Sequence, residues 1–367
     1  MNERMSEAAT AMVWHGVSAP HEPVSVGAVE LAAGEVLVEI ELATICGSDV
    51  HTTRGDRATP VPTVLGHEQV GRVVALGPDA PTALDGAPIA VGDRIVWSIF
   101  AACADCDRCR SGVPQKCRAL RKYGHERIEP RWQLGGGFAT HAHLLPGTAI
   151  ARVGDELPAE VLAPLSCGTA TAAAALDAAR RAHPELRGRA VVVSGAGLIG
   201  LTLAAMASDA GATVVVVDPS EDRRRQSLRF GAAEAVGTGV AELSEALDTL
   251  GFEAPELWFE ASGASRAVSA AIAAIDVGGA VVLIGSVSPG PSVAVDPERI
   301  VRGLVTLTGV HNYAPQHLAA AVTFARGAAG RYPLAELVGA TSALEDLDEA
   351  LVAAAGGAHV RIGVRPR

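Results

Sequence analysis

Four cysteines, Cys103, Cys106, Cys109 and Cys117, form a C-x2-C-x2-C-x7-C run. Four thiolates this close in the chain can close a tetrahedral shell around one Zn²⁺ and leave no coordination position open for a substrate. The run therefore predicts a structural zinc lobe at about residues 100–120. The two remaining cysteines, Cys46 and Cys167, stand apart from it and from each other. Residues 1–10 are polar and show no apolar h-region, so no signal peptide is read. Clustered cysteines without an export signal favour metal over disulfides, and the expected compartment is the cytoplasm. The longest Ala-rich stretch, residues 169–176, is too short to span a bilayer and runs into Asp177.

A chain of 367 residues exceeds what one hydrophobic core usually serves, so two domains are expected. Its 49% hydrophobic content is enough for substantial cores. A net charge of −11 argues against a general nucleic-acid surface. To about Pro164 the chain carries short Val/Ile runs (residues 36–42, 70–76 and 94–99) broken by glycine and proline. These predict an all-β, barrel-like segment. The pattern then changes. Residues 169–182 predict a helix, 190–194 a buried strand, 195–200 a glycine-rich turn, and the stretch to Ala210 another helix. Runs at 214–217, 257–259, 280–284 and 305–307 repeat the strand pattern between Ala-rich segments. Strands alternating with helices imply an α/β doubly wound parallel sheet. The expectation is one discontinuous domain, residues 1–165 and 310–367, interrupted by a nucleotide-binding domain at 166–309.

The glycine turn reads Gly195-Ala196-Gly197-Leu198-Ile199-Gly200. Alone, G-x-G-x-x-G is often just a tight turn. Here it follows a strand, opens a helix, and is answered by Asp218 at the end of the next strand, which makes it a dinucleotide-binding fingerprint. Gly195 permits the turn, Gly197 lets the backbone approach a pyrophosphate, and Gly200 lets helix and strand pack closely. The helix N-terminus at Leu198 and Ile199 offers free N–H groups to phosphate. Asp218 would accept from the adenosine ribose hydroxyls and repel a 2′-phosphate, favouring NAD over NADP. Arg223, with Arg224 and Arg225 beside it, tempers that preference, because an arginine there can hold the phosphate.

Cys46, His67 and Cys167 are far apart in sequence. A catalytic zinc needs three protein ligands and an open position, and these residue types suit it. By spacing alone they read more readily as core residues than as ligands.

Gly66-His67-Glu68-x2-Gly71-x5-Gly77, the four-cysteine lobe and the glycine turn, in this order and at these distances, resemble the zinc-containing medium-chain alcohol dehydrogenases over essentially the whole chain. The resemblance implies a GroES-like β-barrel catalytic domain plus a Rossmann domain, two zinc ions per chain, and NAD as cofactor. It implies that Cys46, His67 and Cys167 hold the catalytic zinc and that Glu68 helps exchange the fourth ligand. Asp49 would orient the zinc histidine. Ser48 would take the proton from the alcohol and His51 would pass it toward solvent. Thr171 would lie behind the nicotinamide ring and Arg361 near the cofactor pyrophosphate. The chain departs from some members at Gly47, where they carry a phosphate-binding arginine or histidine, and over residues 118–137. A homodimer or homotetramer, paired through the edge of the Rossmann sheet, is also implied.

The expected reaction is hydride transfer between a small secondary or functionalised alcohol and NAD. A polyol, cyclitol or threonine-type dehydrogenase of the same family is the alternative. Metal-free, quinone-reductase-like chemistry is opposed by the intact ligand set. A non-catalytic zinc-binding interaction protein is opposed by the intact proton relay. Residues 118–131 are locally basic in an acidic protein, and Lys122, Tyr123 and His125 would suit an anionic substrate group; a solvated loop or a subunit contact is the plainer reading. Lys122-Tyr123-Gly124-His125-Glu126 and Gly309-Val310-His311-Asn312-Tyr313 resemble a subgroup associated with phosphonate catabolism. Trp97 and Ile99 would line an apolar pocket wall or belong to the core.

Overall fold

A computed structural model describes residues 8–366; residues 1–7, which include most of the polar stretch read above as lacking an h-region, and residue 367 lie outside the described residues. The chain forms two compact units. One comprises Met1–Cys167, Ala314–Gly327 and Leu334–Arg367; the other comprises Gly168–Tyr313 and Ala328–Pro333.

The first unit opens with strands β1 (Ala9–Trp14), β2 (Glu22–Val26) and β3 (Val36–Thr44), then helix α1 (Gly47–Thr53). It continues through β4 (Thr63–Val64), β5 (Glu68–Leu76) and β6 (Arg94–Ala101), the short helix α2 (Asp107–Arg110), β7 (Arg121–Lys122), β8 (His141–Leu144), β9 (Thr148–Arg152) and α3 (Ala159–Leu162). β3, β5 and β6 pair antiparallel, β9 adds to β6, and β8 and the C-terminal strand Arg361–Arg365 share the edge of β3 opposite β5. This curled sheet is the GroES-like barrel. β3 lies between two layers. Val36, Val38 and Ile40 face a core with Ile95, Trp97 and Leu144, while Leu37 packs on the other side with Ala11, Val13 and Val64. Burial on both faces explains why β3 reads as a nearly unbroken apolar run rather than an alternating one.

The second unit contains α4 (Gly168–Ala182), β10 (Ala190–Ser194), α5 (Leu198–Asp209), β11 (Thr213–Val217), α6 (Glu221–Arg229), β12 (Glu234–Val236), α7 (Val240–Thr249), β13 (Leu257–Glu260), α8 (Ser265–Ala274), β14 (Ala280–Leu283), α9 (Pro297–Gly303) and β15 (Thr306–Gly309). The sheet order β12-β11-β10-β13-β14-β15, parallel throughout, is the Rossmann arrangement. Val215, Val192, Trp258 and Val281 stand in register across four adjacent strands and form the spine of the core. The Trp258 indole finds its partner inside that core, donating to Ser194 Oγ at 2.7 Å. Among the described residues, no single helix is long and apolar enough to cross a membrane.

Candidate metal and cofactor sites

The lobe follows β6. Cys106 stands at the N-cap of α2, so its backbone is extended before the helix begins. Sγ–Sγ separations are 3.5 Å for Cys106–Cys109, 3.9 Å for Cys106–Cys117 and 3.4 Å for Cys117–Cys103. A tetrahedron with Zn–S of about 2.3 Å has edges of about 3.8 Å, so the four thiols fit one zinc ion. Backbone amides point at the sulfurs: Cys103 N–H and Ala119 N–H donate to Cys117, and Cys106 N–H donates to Cys103. The backbone N–H groups of Arg118 and Cys109 bring the Cys106 thiol down to about 6, which favours the thiolate a metal requires. All six cysteines are free of disulfides.

The second cluster is assembled from distant segments. Ligand atoms of Cys46, His67, Glu68 and Cys167 all lie within 4.8 Å of one another. His67 and Glu68 are buried, whereas Cys46 and Cys167 are partly open. Gly66 makes the approach possible: its φ is +88°, and a Cβ there would stand 2.9 Å from the Phe138 backbone nitrogen. Asp49 ties three pieces together. Its carboxylate accepts from Cys46 N–H at 2.9 Å and Gly66 N–H at 3.4 Å, and lies 3.5 Å from His67 Nδ1. Burial resists a charged His67, yet the neighbouring Asp49 and Cys46 drive it up to about 10. Cys46 is held well below the usual thiol range by the hydrogen bond from Cys167, which is itself raised by the same bond and by burial. Two thiols sharing a proton, beside a histidine whose Nδ1 already faces a carboxylate, fit a zinc ion that would take Cys46, Cys167 and His67 Nε2.

Sequence reasoning missed two supports. Ser166 Oγ accepts from Gln69 N–H at 3.3 Å and donates to the His67 carbonyl at 3.4 Å, fixing the segment that carries Cys167. Thr44 Oγ1 donates to Glu68 Oε2 at 2.7 Å. Adjacency to Cys167 was the only signal for Ser166.

Ser48 Oγ lies 3.3 Å from His67 Nε2, at the cluster. His51 is exposed, with Nδ1 3.1 Å from Asp56, three residues along α1 from Ser48. Arg361 lies at the same cluster. Its Nε and Nη2 donate to Glu68 at 2.7 and 3.0 Å, and Nη2 is 3.7 Å from Cys46 Sγ. Two of its donors are thus spent on Glu68. Burial pushes the Glu68 carboxyl up, and the Arg361 charge opposes this.

In the second unit, Gly195 (φ +94°) turns the chain from β10 into α5, and a Cβ at Gly200 would fall 1.7 Å from the Gly195 carbonyl oxygen. Gly197 faces open space and caps α5 without a side-chain hydrogen bond, so the first amides of α5, at Leu198 and Ile199, suit a phosphate. Asp218 accepts from Ala196 N–H at 2.7 Å and Ser220 N–H at 2.9 Å, which positions it at the turn. Arg223 lies in the first turn of α6, its N–H reaching Ser220 Oγ at 3.4 Å. Arg224 donates to the Asp218 carbonyl, and Arg225 pairs with Glu221 and Asp222. Thr171 is buried in α4.

Three residues read as pocket candidates are core or fold residues instead. Trp97 is fully buried in the barrel core, and Ile99 is buried on the same strand. Tyr123 is buried, its hydroxyl 2.6 Å from Thr148 Oγ1 and accepting from Leu145 N–H at 2.9 Å, so it is not available to an anion. Within the basic loop, Arg118 pairs with Asp107, and Arg121 with Glu126 and Glu129. Tyr313 is fully buried, and Asn312 takes a left-handed φ of 55°.

A GroES-like barrel joined in one chain to a Rossmann sheet, with a four-thiolate lobe and a Cys–His–Cys cluster, defines a zinc-binding dehydrogenase. Residues 32–155 match the alcohol dehydrogenase GroES-like domain, and residues 199–327 match the zinc-binding dehydrogenase family. The chain is 31% identical to an L-threonine 3-dehydrogenase of Anaeromyxobacter dehalogenans, covering 77% of each chain. It is 29% identical to 5-exo-hydroxycamphor dehydrogenase of Pseudomonas putida, covering 90% of this chain and 91% of that one. A crystal structure of an alcohol dehydrogenase from Thermotoga maritima superposes with a TM-score of 0.91 at 29% identity, covering 98% of this chain and 100% of the other. The chain belongs to the zinc-dependent medium-chain alcohol dehydrogenase family, and it is an oxidoreductase of alcohols.

Proposed function

We propose that this protein transfers a hydride between a small secondary or functionalised alcohol and NAD at the Cys46–His67–Cys167 cluster. The observation that carries the reading is that cluster itself: three zinc-type ligands drawn from distant segments, partly open at the two cysteines, with the Ser48 hydroxyl against them. Bound zinc would supply the Lewis acidity that makes the alcohol proton easier to remove, and NAD would accept the hydride. Ser48 takes the proton, and His51, exposed and 3.1 Å from Asp56, hands it to water. Asp49, 3.5 Å from His67 Nδ1, would hold the ring so that Nε2 is free to take the metal. Glu68, anchored by Arg361, is the acid poised beside the ligands. Gly195 and Gly200 shape the turn so that Gly197 and the α5 amides take the pyrophosphate, and Asp218 selects NAD over NADP.

In this reading the barrel unit is the catalytic domain and the Rossmann unit the cofactor domain. Relatives named for L-threonine and for 5-exo-hydroxycamphor leave the alcohol itself open, and the phosphonate expectation draws no support from them. A homodimer or homotetramer through β15 is part of the proposal, since that strand ends the sheet order and its residues are largely exposed. The test is an initial-rate assay at alkaline pH with secondary alcohols, polyols, cyclitols and L-threonine, each with NAD⁺ and NADP⁺. NAD⁺-dependent turnover that disappears on zinc depletion and returns with Zn²⁺ supports the reading. Undiminished turnover by zinc-free protein sinks it.

A further inference from the structure

The ends of three neighbouring strands in the Rossmann sheet meet with almost no side chain between them. Gly195 follows β10, Ser262 and Gly263 follow β13, and Gly285 follows β14. A Cβ at Gly195 would stand 2.9 Å from the Ser262 Cα and backbone nitrogen, one at Gly263 2.6 Å from the Gly285 carbonyl oxygen, and one at Gly285 2.2 Å from the Gly263 nitrogen. Backbone lies against backbone here, so a shift of the turn at Ser262 and Gly263 is felt directly at Gly195.

Glu260, the last residue of β13, holds that turn. It is fully buried, and among the described residues no basic side chain pairs with it. Its Oε1 accepts from Ser262 N–H at 2.9 Å, from the Ser262 hydroxyl at 2.5 Å and from Gly263 N–H at 3.0 Å, while Oε2 lies 3.2 Å from the same Gly263 nitrogen. The Ser262 hydroxyl in turn accepts from Ala264 N–H at 3.1 Å. The Glu260 main-chain carbonyl takes the Ile284 and Gly285 N–H groups, each at 2.9 Å. A carboxylate buried without a counter-ion is a costly end for a strand whose other residues, Leu257, Trp258 and Phe259, are apolar. The donors of its own turn supply the compensation.

The strand order gives this turn its place. The order β12-β11-β10-β13-β14-β15 reverses between β10 and β13. Such a sheet binds a dinucleotide across that switch point, one mononucleotide over each half. Asp218, just after β11, belongs to the adenosine half, so the turn after β13 belongs to the nicotinamide half.

We propose that Glu260 is a positioning residue for the cofactor: it fixes the turn at Ser262 and Gly263 against Gly195 and so sets the nicotinamide side of the crevice. This rests on the reading of Gly195–Gly200 as the cofactor turn. Reach carries the effect rather than charge. A glutamine carbonyl can still accept the bonds made by Oε1, whereas an aspartate is one methylene too short to close the same turn.

The experiment uses the zinc-loaded full chain. Calorimetry measures NAD⁺ and AMP binding to the parent and to Glu260→Gln, Glu260→Asp and Glu260→Ala, and initial rates give kcat and KM for NAD⁺. AMP reports on the adenosine half alone. Glu260→Asp and Glu260→Ala should each weaken NAD⁺ binding about tenfold or more, the loss expected when buried donors lose their acceptor, while AMP affinity changes by less than about twofold. KM for NAD⁺ should rise in step. Glu260→Gln should bind NAD⁺ within about threefold of the parent. Should Glu260→Ala fail to fold, Glu260→Asp, Glu260→Gln and Ser262→Ala carry the test; Ser262→Ala removes the hydroxyl between Glu260 and Ala264 and should weaken NAD⁺ but not AMP. Unchanged NAD⁺ affinity in Glu260→Asp and Glu260→Ala, or equal losses for NAD⁺ and AMP, overturns the positioning role and leaves the cofactor reading standing. Recovery by Glu260→Asp but not by Glu260→Gln would show that charge is what matters, and overturns it as well. A parent chain that binds neither NAD⁺ nor AMP removes the cofactor reading and this proposal together.

Discussion

The two cysteine clusters are built by opposite routes. The lobe takes all four donors from residues 103–117, with backbone amides pointing at its sulfurs. The Cys46–His67–Cys167 cluster takes its donors from the N-cap of α1, the residue before β5 and the segment before α4, and depends on Asp49, Ser166 and the Glu68–Arg361 pair to hold them in place. A local cluster closes its shell because a short chain can wrap a metal at low entropic cost. A dispersed cluster can stay open, because the barrel rather than the metal sets the donor positions. One is suited to holding structure, the other to exchanging a ligand.

Metal removal gives the largest contrast. Graded chelation should take zinc first from the open cluster, abolishing turnover (a loss of at least about a thousandfold) while the melting transition is kept. Loss of the second zinc should then unfold the lobe. Zinc content, rate and thermal unfolding measured on the same samples check this, and loss of lobe zinc before activity would break the comparison. Next in size, Arg361→Ala leaves Glu68 buried without its partner and should cost about 3–5 kcal/mol in urea unfolding. A much smaller loss would mean that the barrel, not this pair, fixes the cluster. Asp49→Asn should lower zinc affinity about 10- to 100-fold at the open cluster alone, read by competition with a chromophoric chelator. An equal effect on the lobe would show that the two clusters are coupled. The smallest effect belongs to His51→Gln, because His51 is exposed and water can replace it: kcat should fall by less than about tenfold. Ser48→Ala on the same helix should cost far more, about 100-fold or beyond.

The same contrast explains what could be read from the chain. Strands buried on both faces announce themselves as valine runs: residues 190–194 were expected as a strand and form β10, and 36–42 extend only slightly into β3. The helix expected to run to Ala210 ends at Asp209, with Ala210 as its cap. Val305, expected in a strand, precedes β15 and packs into the Rossmann core. Trp97 and Tyr123 were ambiguous because an aromatic next to a lobe reads alike whether it faces a pocket or a core. Packing against Ile95 and Leu144 in one case, and a hydroxyl near Thr148 in the other, decided for the core.

By itself the sequence determined whatever depends on neighbours in the chain: the four-thiolate lobe, the glycine turn with its strand and helix, and the alternation of strand and helix that gives the Rossmann sheet. These are short-range constraints, where spacing fixes geometry. Only the tertiary structure decided that the Arg361 guanidinium meets Glu68 and that Ser166 and Thr44 brace the cluster. Each of these joins residues far apart in sequence. The partner of a buried charge is set by the barrel's strand pairing and packing, and residue type alone does not reveal whether a charge is answered.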